Sequence, residues 1–323
     1  ISCDYCHQIA GHGKIANADQ RVTANGVKRA QIKDAMPGGA HKTAYSAYHA
    51  SSAICGTCHN VDHPANGLPL ESTYSEWLDS AYSVKGTTCQ DCHMTSGAPA
   101  NAPVPGRAAG NGPWRDAVFQ MTFAGANVGQ GNSALALHNL RSAASMTMAA
   151  PDIVAGGAET SVSVRITNTG AGHMLPTGLT EFREMWLEIT ATDSRGSTTV
   201  IGNRVFGTVL KDAKGRHPAE VWNATGVYSD DRIAPNASTD TTASFTMPST
   251  GPLTIRAALY YRSATEEIAK AAGIDIPTVT MVSATNTVWT SAAERDRAVA
   301  AAARPVNADP GGGGYAYLIG LTA

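Results

Sequence analysis

The chain has 323 residues, enough for two or three domains of ordinary size. Charged residues are only 15% of it and the net charge is −2, so nothing in the charge pattern suits a nucleic-acid partner. No apolar run is long enough to span a bilayer, so no membrane-spanning segment is expected.

Ile1 is not an initiating residue and no signal peptide is visible, which predicts a mature or otherwise processed product. The six cysteines fall into three pairs: Cys3 and Cys6, Cys55 and Cys58, Cys89 and Cys92. Each pair has the spacing C-x-x-C, and a histidine follows at once: His7, His59 and His93. An even count in an exported protein would ordinarily suggest disulfides. A lone C-x-x-C would also suit a redox dithiol or half of a zinc site. Neither reading requires histidine directly after the second cysteine. Three full C-x-x-C-H repeats that use every cysteine predict three c-type haems. Two thiols two residues apart can each add to one vinyl group of the same porphyrin, and the next imidazole then lies under the iron as proximal ligand. Such attachment takes place outside the cytoplasm, so a periplasmic or extracellular protein is expected.

Residues 1–140 form the expected trihaem domain. They are rich in Gly, Ala, Ser and His and lack regular apolar periodicity, so the porphyrins must supply the core. Mostly helical and irregular structure is expected here, with short helices following the motifs. Residues 45–54 and 74–82 are predicted as helices leading into the second and third motifs, and residues 96–113 as a loop.

From residue 141 the apolar pattern changes to period two. Val162, Val164 and Ile166 alternate with polar residues, as do Leu187, Ile189 and Ala191 after Trp186. Ala243, Phe245 and Met247 repeat the pattern, and Leu253, Ile255, Ala257 and Leu259 extend it. Turn signals at Asn168-Thr-Gly, Asp193-Ser-Arg-Gly, Asp212-Ala-Lys-Gly and Pro248-Ser-Thr-Gly separate the runs. An immunoglobulin-like β-sandwich over residues 141–288 is expected. Residues 289–323 should form a C-terminal extension: a helix at 292–303, a Gly-rich stretch and an apolar tail at 315–323. That tail is either a loose terminus or a strand added to a neighbour's sheet edge. The fold class is therefore α+β and multidomain.

Seven histidines remain for the distal side of three irons: 12, 41, 49, 63, 138, 173 and 217. His49 lies on the segment leading into the second motif and can project towards a neighbouring haem; His41 lies near the same face. His138 closes the haem region. His173 sits in Gly170-Ala-Gly-His-Met-Leu-Pro-Thr-Gly178, where glycines permit close backbone approach, at a point from which it can reach a haem across the domain boundary. These four are the distal candidates; His12, His63 and His217 rank below them.

Several stretches resemble a family of bacterial multihaem c-type cytochromes with a C-terminal β-sandwich. They are residues 1–7, 41–46, 49–60, 73–77 and 88–94, and in the sandwich residues 170–178 with Glu184-Met-Trp-Leu-Glu188. The resemblance implies electron transfer, stacked haems and mostly bis-histidine ligation. It also implies that relatives continue upstream of the first motif, often with further haems. In residues 120–127 relatives often carry His before Thr-Phe, where this chain has Met121, so Met121 becomes a weaker distal candidate of the His/Met kind.

The leading expectation is a non-enzymatic electron carrier that hands electrons to other cytochromes, other redox proteins or an extracellular acceptor. A multihaem reductase with one open haem, or a subunit of a haem filament held by self-assembly, are the alternatives. The surplus of histidines argues for closed, six-coordinate irons and so for the carrier.

Overall fold

The computed structural model describes residues 2–95, 104–129 and 133–303. Each cysteine motif sits on or straddles a short helix: α1 (Cys3–Gln8), α2 (Ala53–Gly56) and α5 (Cys89–His93). Helix and motif thus coincide, where the sequence suggested helices following the motifs. α1 starts at Ser2, whose Oγ accepts the Tyr5 N–H at 3.2 Å. α5 starts at Thr88, whose N–H and hydroxyl both donate to the Asp91 carboxylate, at 2.7 and 2.8 Å.

Between the motifs the chain is less helical than expected. Short strands pair two by two: β1 (Ile9–His12) with β2 (Gln20–Val22), β3 (Val27–Ala30) with β4 (Lys42–Tyr45), and β5 (Val61–Asp62) with β6 (Pro69–Glu71). A fourth pair joins β7 (Val104–Arg107) to β8 (Trp114–Val118), which corrects the loop expected over 96–113 where that stretch is described. No helix spans 45–54. β4 runs parallel to β3, and the Ser46 N–H extends the pairing to Ala30 O at 2.8 Å, so the helix begins only at Ala53. The helix expected over 74–82 is two helices, α3 (Thr73–Leu78) and α4 (Ala81–Val84). Ser80 divides them: its backbone is extended, and its Oγ both donates to Trp77 O and accepts the Tyr82 N–H.

Helix α6 (Ser133–Ala143) leads directly into β9 (Ala144–Ala149), the edge of a three-stranded antiparallel sheet of order β15-β10-β9, with β10 at Glu159–Asn168 and β15 at Ser238–Thr246. The second sheet has four strands in the order β12-β11-β16-β17: β11 is Glu184–Asp193, β12 Thr198–Phe206, β16 Leu253–Arg262 and β17 Val279–Val288. The period-two residues face inward from both sheets into one core. Val162, Val164, Ile166, Leu187, Ile189, Ile255, Ala257 and Leu259 are all completely buried. Burying each large aliphatic side chain contributes roughly 1.5–3 kcal/mol, so the sheets supply the apolar core that residues 2–95 lack. β13 (Thr208–Lys211) and β14 (Gly226–Asp230) form a separate hairpin, and α7 (Glu266–Ala272) and α8 (Ala292–Ala302) complete the described elements. The apolar tail at 315–323 lies outside the described residues. Among the described residues no helix is long and apolar enough to cross a membrane.

Candidate functional site

The three motifs are held together by side-chain hydrogen bonds, most of them to backbone groups. Gln90, buried inside the third motif, donates to His49 O at 3.1 Å and Ser51 O at 3.0 Å, in the segment that leads to the second motif. Ser52 Oγ accepts the Cys89 N–H at 3.1 Å. Cys55 and Cys89 perturb one another: the neighbouring sulfur and burial push Cys55 up, while Cys55, against burial, draws Cys89 down to about 7. Gln20 on β2 donates to Thr57 Oγ1 at 2.7 Å and approaches the Cys58 sulfur at 3.8 Å. The first motif joins through His49, whose Nε2 lies 2.9 Å from Cys6 O.

Against this frame the histidines arrange themselves in pairs. The rings of His7 and His49 lie 6.1 Å apart, centre to centre, and 14° from parallel. Those of His93 and His173 lie 6.5 Å apart and 18° from parallel. Two imidazoles bound on opposite sides of one iron, each at a metal–nitrogen distance of about 2 Å, have ring centres roughly 6.3 Å apart. Both pairs fit that span. In the second pair each ring spends its Nδ1–H on a backbone carbonyl: His93 on Ala124 O at 2.7 Å, His173 on Met174 O at 2.9 Å. Both Nε2 atoms are thereby left as the free lone-pair nitrogens. In the first pair His7 Nδ1 bonds Arg29 O at 2.7 Å, while His49 uses both nitrogens, on Ser46 Oγ and Cys6 O. Ligation by His49 therefore means releasing the Cys6 carbonyl. Burial lowers the pKa of His49, His93 and His173, favouring the neutral ring that binds metals.

His173 reaches this position because its loop is clamped. A Cβ on Gly170 would lie 2.0 Å from Ser142 O, and one on Gly172 would press on the Tyr82 ring, so only glycine allows this approach to α6 and α4. Buried Asn168 donates to His173 O and Ile233 O and accepts the Ala171 N–H. On the other side Glu76 of α3 accepts from Met174 N at 3.2 Å and Thr177 Oγ1 at 2.6 Å, and pairs with Arg232 at 2.5 Å.

His59 is different. Its Nδ1 faces a carboxylate, Glu71 Oε1, at 3.1 Å, and that hydrogen bond raises its pKa, while the ring itself is largely exposed. None of the histidine ring pairs includes it. The other two distal candidates, His41 and His138, form no ring pair with a proximal histidine among the described residues. His41 bonds Lys42 O and lines a largely apolar cleft of about 530 Å³ with Cys3, His7 and Lys28, while His138 lies half-buried on α6. Met121 is 52% exposed, in a segment tied to the third motif by Thr122 Oγ1 on His93 O. His12 packs on Tyr48, His217 stacks on Tyr228, and His63 bonds Trp222 O. Glu71, Glu76, Gln90, Asn168 and Arg232 carried no signal of their role in the sequence. Each acts on a partner brought to it by folding, such as Arg232, which is 156 residues from Glu76.

No family model matches the sequence, and no curated protein does. Among solved structures the chain is similar to a penta-heme cytochrome c552 from Thermochromatium tepidum, with 19% identity and a TM-score of 0.62 over 88% of this chain and 76% of that one. The fold is thus shared over most of the length. Weaker likeness exists to the CARDB domain of the PF1109 protein from Pyrococcus furiosus, at 15% identity and a TM-score of 0.26 over 45% of this chain and 85% of that one.

Proposed function

We propose that this chain is a trihaem c-type cytochrome that carries electrons. The observation that carries the reading is the near-parallel pair of His93 and His173, whose ring centres lie 6.5 Å apart, the span of one iron, with Nδ1 of both rings committed elsewhere. Cys3/Cys6, Cys55/Cys58 and Cys89/Cys92 would hold the haems, with His7, His59 and His93 on the proximal side and His49 and His173 opposite the first and third. Bound there, the haems would supply one-electron chemistry. The protein's own part is to orient the imidazoles through Arg29 O, Ala124 O and Met174 O and to hold the motifs in contact through Gln90 and Ser52. Likeness of fold to a penta-heme cytochrome supports the same reading.

The finer assignments belong to this proposal as well. Residues 1–140 form the haem domain, residues 141–288 an immunoglobulin-like sandwich, and residues 289–323 an extension. The protein works in the periplasm or at the cell surface, and its partners are other redox proteins. Low-temperature electron paramagnetic resonance of the oxidised protein tests the ligation. Two low-spin signals of near-parallel bis-histidine type are expected, and their absence would overturn the pairing. His59 favours a second reading, a multihaem reductase open at the second haem, because among the described residues no histidine ring pairs with it. A high-spin signal that shifts on adding nitrite or hydroxylamine, with turnover of either, would establish that reading.

A further inference from the structure

We propose that Glu71 makes the haem at the second motif the lowest in potential of the three. The inference rests on the trihaem reading above. Each proximal histidine anchors its Nδ1, but not on the same kind of acceptor. His7 and His93 use neutral backbone carbonyls, Arg29 O and Ala124 O, both at 2.7 Å. His59 alone uses a side-chain carboxylate, Glu71 Oε1 at 3.1 Å. A carboxylate draws the Nδ1 proton harder than an amide carbonyl does, leaving more negative charge on the imidazole. The more electron-rich ring stabilises ferric over ferrous iron, so the iron it binds accepts its electron less readily.

The site is built to make that charge felt. Glu71 ends β6, whose pairing with β5 sets Val61 opposite Glu71 just after His59, so the motif and its carboxylate share one tight hairpin. The Glu71 side chain is only 13% exposed, so its charge is shielded on the protein side, while the His59 ring that it holds is 63% exposed. Thr73 Oγ1 approaches the same carboxylate oxygen, at 3.4 Å. Among the described residues no lysine or arginine forms an ion pair with Glu71, so its charge is directed at His59.

The test is an optical and paramagnetic redox titration of the holoprotein, wild type against Glu71→Gln and Glu71→Asp. Glutamine keeps an acceptor oxygen and removes the charge; aspartate keeps the charge. In Glu71→Gln the lowest of three one-electron waves should move up while the other two stay, and Glu71→Asp should return it towards the wild-type position. Three unmoved waves, movement of a higher wave, or movement of all three together would overturn the proposal. If Glu71→Gln fails to retain the second haem, the wave that vanishes identifies it. Loss of the lowest wave then supports the proposal, and loss of a higher one overturns it. A wild-type protein with no haem at Cys55 and Cys58 would instead bring down the trihaem reading, a result that the wave count separates from the others.

Discussion

At the scale of single residues, the account turns on which nitrogen of each histidine is free. His173 is the sharpest case, because burial favours its neutral form and Met174 O takes its Nδ1–H, so Nε2 keeps its lone pair in a ring 6.5 Å from that of His93. His173→Ala should change the optical spectrum and potential of one haem and leave the others unchanged. Unaltered spectra would return His173 to the role of a turn residue. C-x-x-C-H motifs were legible in the sequence because attachment chemistry is local to five residues. Distal candidates were legible only as a set. His49 and His173 stood out by their surroundings, yet their pairing with His7 and His93 depends on separations of 42 and 80 residues that no spacing rule encodes. His41 and His138 were candidates as well, and among the described residues neither ring pairs with a proximal histidine.

At the scale of elements, the loop between β10 and β11 does the positioning. Glu76, 9% exposed in its side chain, holds it through Met174 N and Thr177 Oγ1 and is neutralised by Arg232. Removing one partner of a buried ion pair costs about 3–5 kcal/mol, and Asp230 remains to compensate Arg232, so Glu76→Ala should destabilise by about 3 kcal/mol. It should also perturb the haem signal assigned to His93 and His173 before the sheets unfold. Thermal melts followed separately in the haem bands and the far ultraviolet will show whether the two events divide. The same clamp sets an acid limit. Burial pulls the Asp230 carboxyl upward, but Arg232 and its backbone N–H outweigh this and hold it below the usual carboxylate range. A group so depressed stabilises the fold above its unfolded value near 3.9 and loses that contribution as pH falls through the lower folded value. Asp230→Asn should therefore flatten the stability curve below about pH 4 and leave its slope near neutrality alone.

Across the whole molecule, the two regions draw stability from different sources. The sheets have a protein core, and Ile189→Ala within it should cost about 2–5 kcal/mol in denaturant titrations of the sheet signal. The strands of this part were legible because alternation in Val162–Ile166 or Leu253–Leu259 records directly which face is buried. Strands β1 to β8 were not. They are two to five residues long, too short for a period to register, and backbone pairing rather than apolar patterning sets them. Helix boundaries failed for the same reason, since β4 was committed to β3 by contacts the local sequence does not display. What joins the regions is the loop after β10, clamped by Glu76 and Arg232, with the His173 ring set beside His93. The central claim is that all six cysteines carry haem. Mass spectrometry of the denatured holoprotein, with proteolytic mapping, tests it most directly. The account predicts the polypeptide mass plus three haems, with one haem on each of the peptides containing Cys3/Cys6, Cys55/Cys58 and Cys89/Cys92. A bare polypeptide mass, or these cysteines recovered in disulfides with one another, would contradict it.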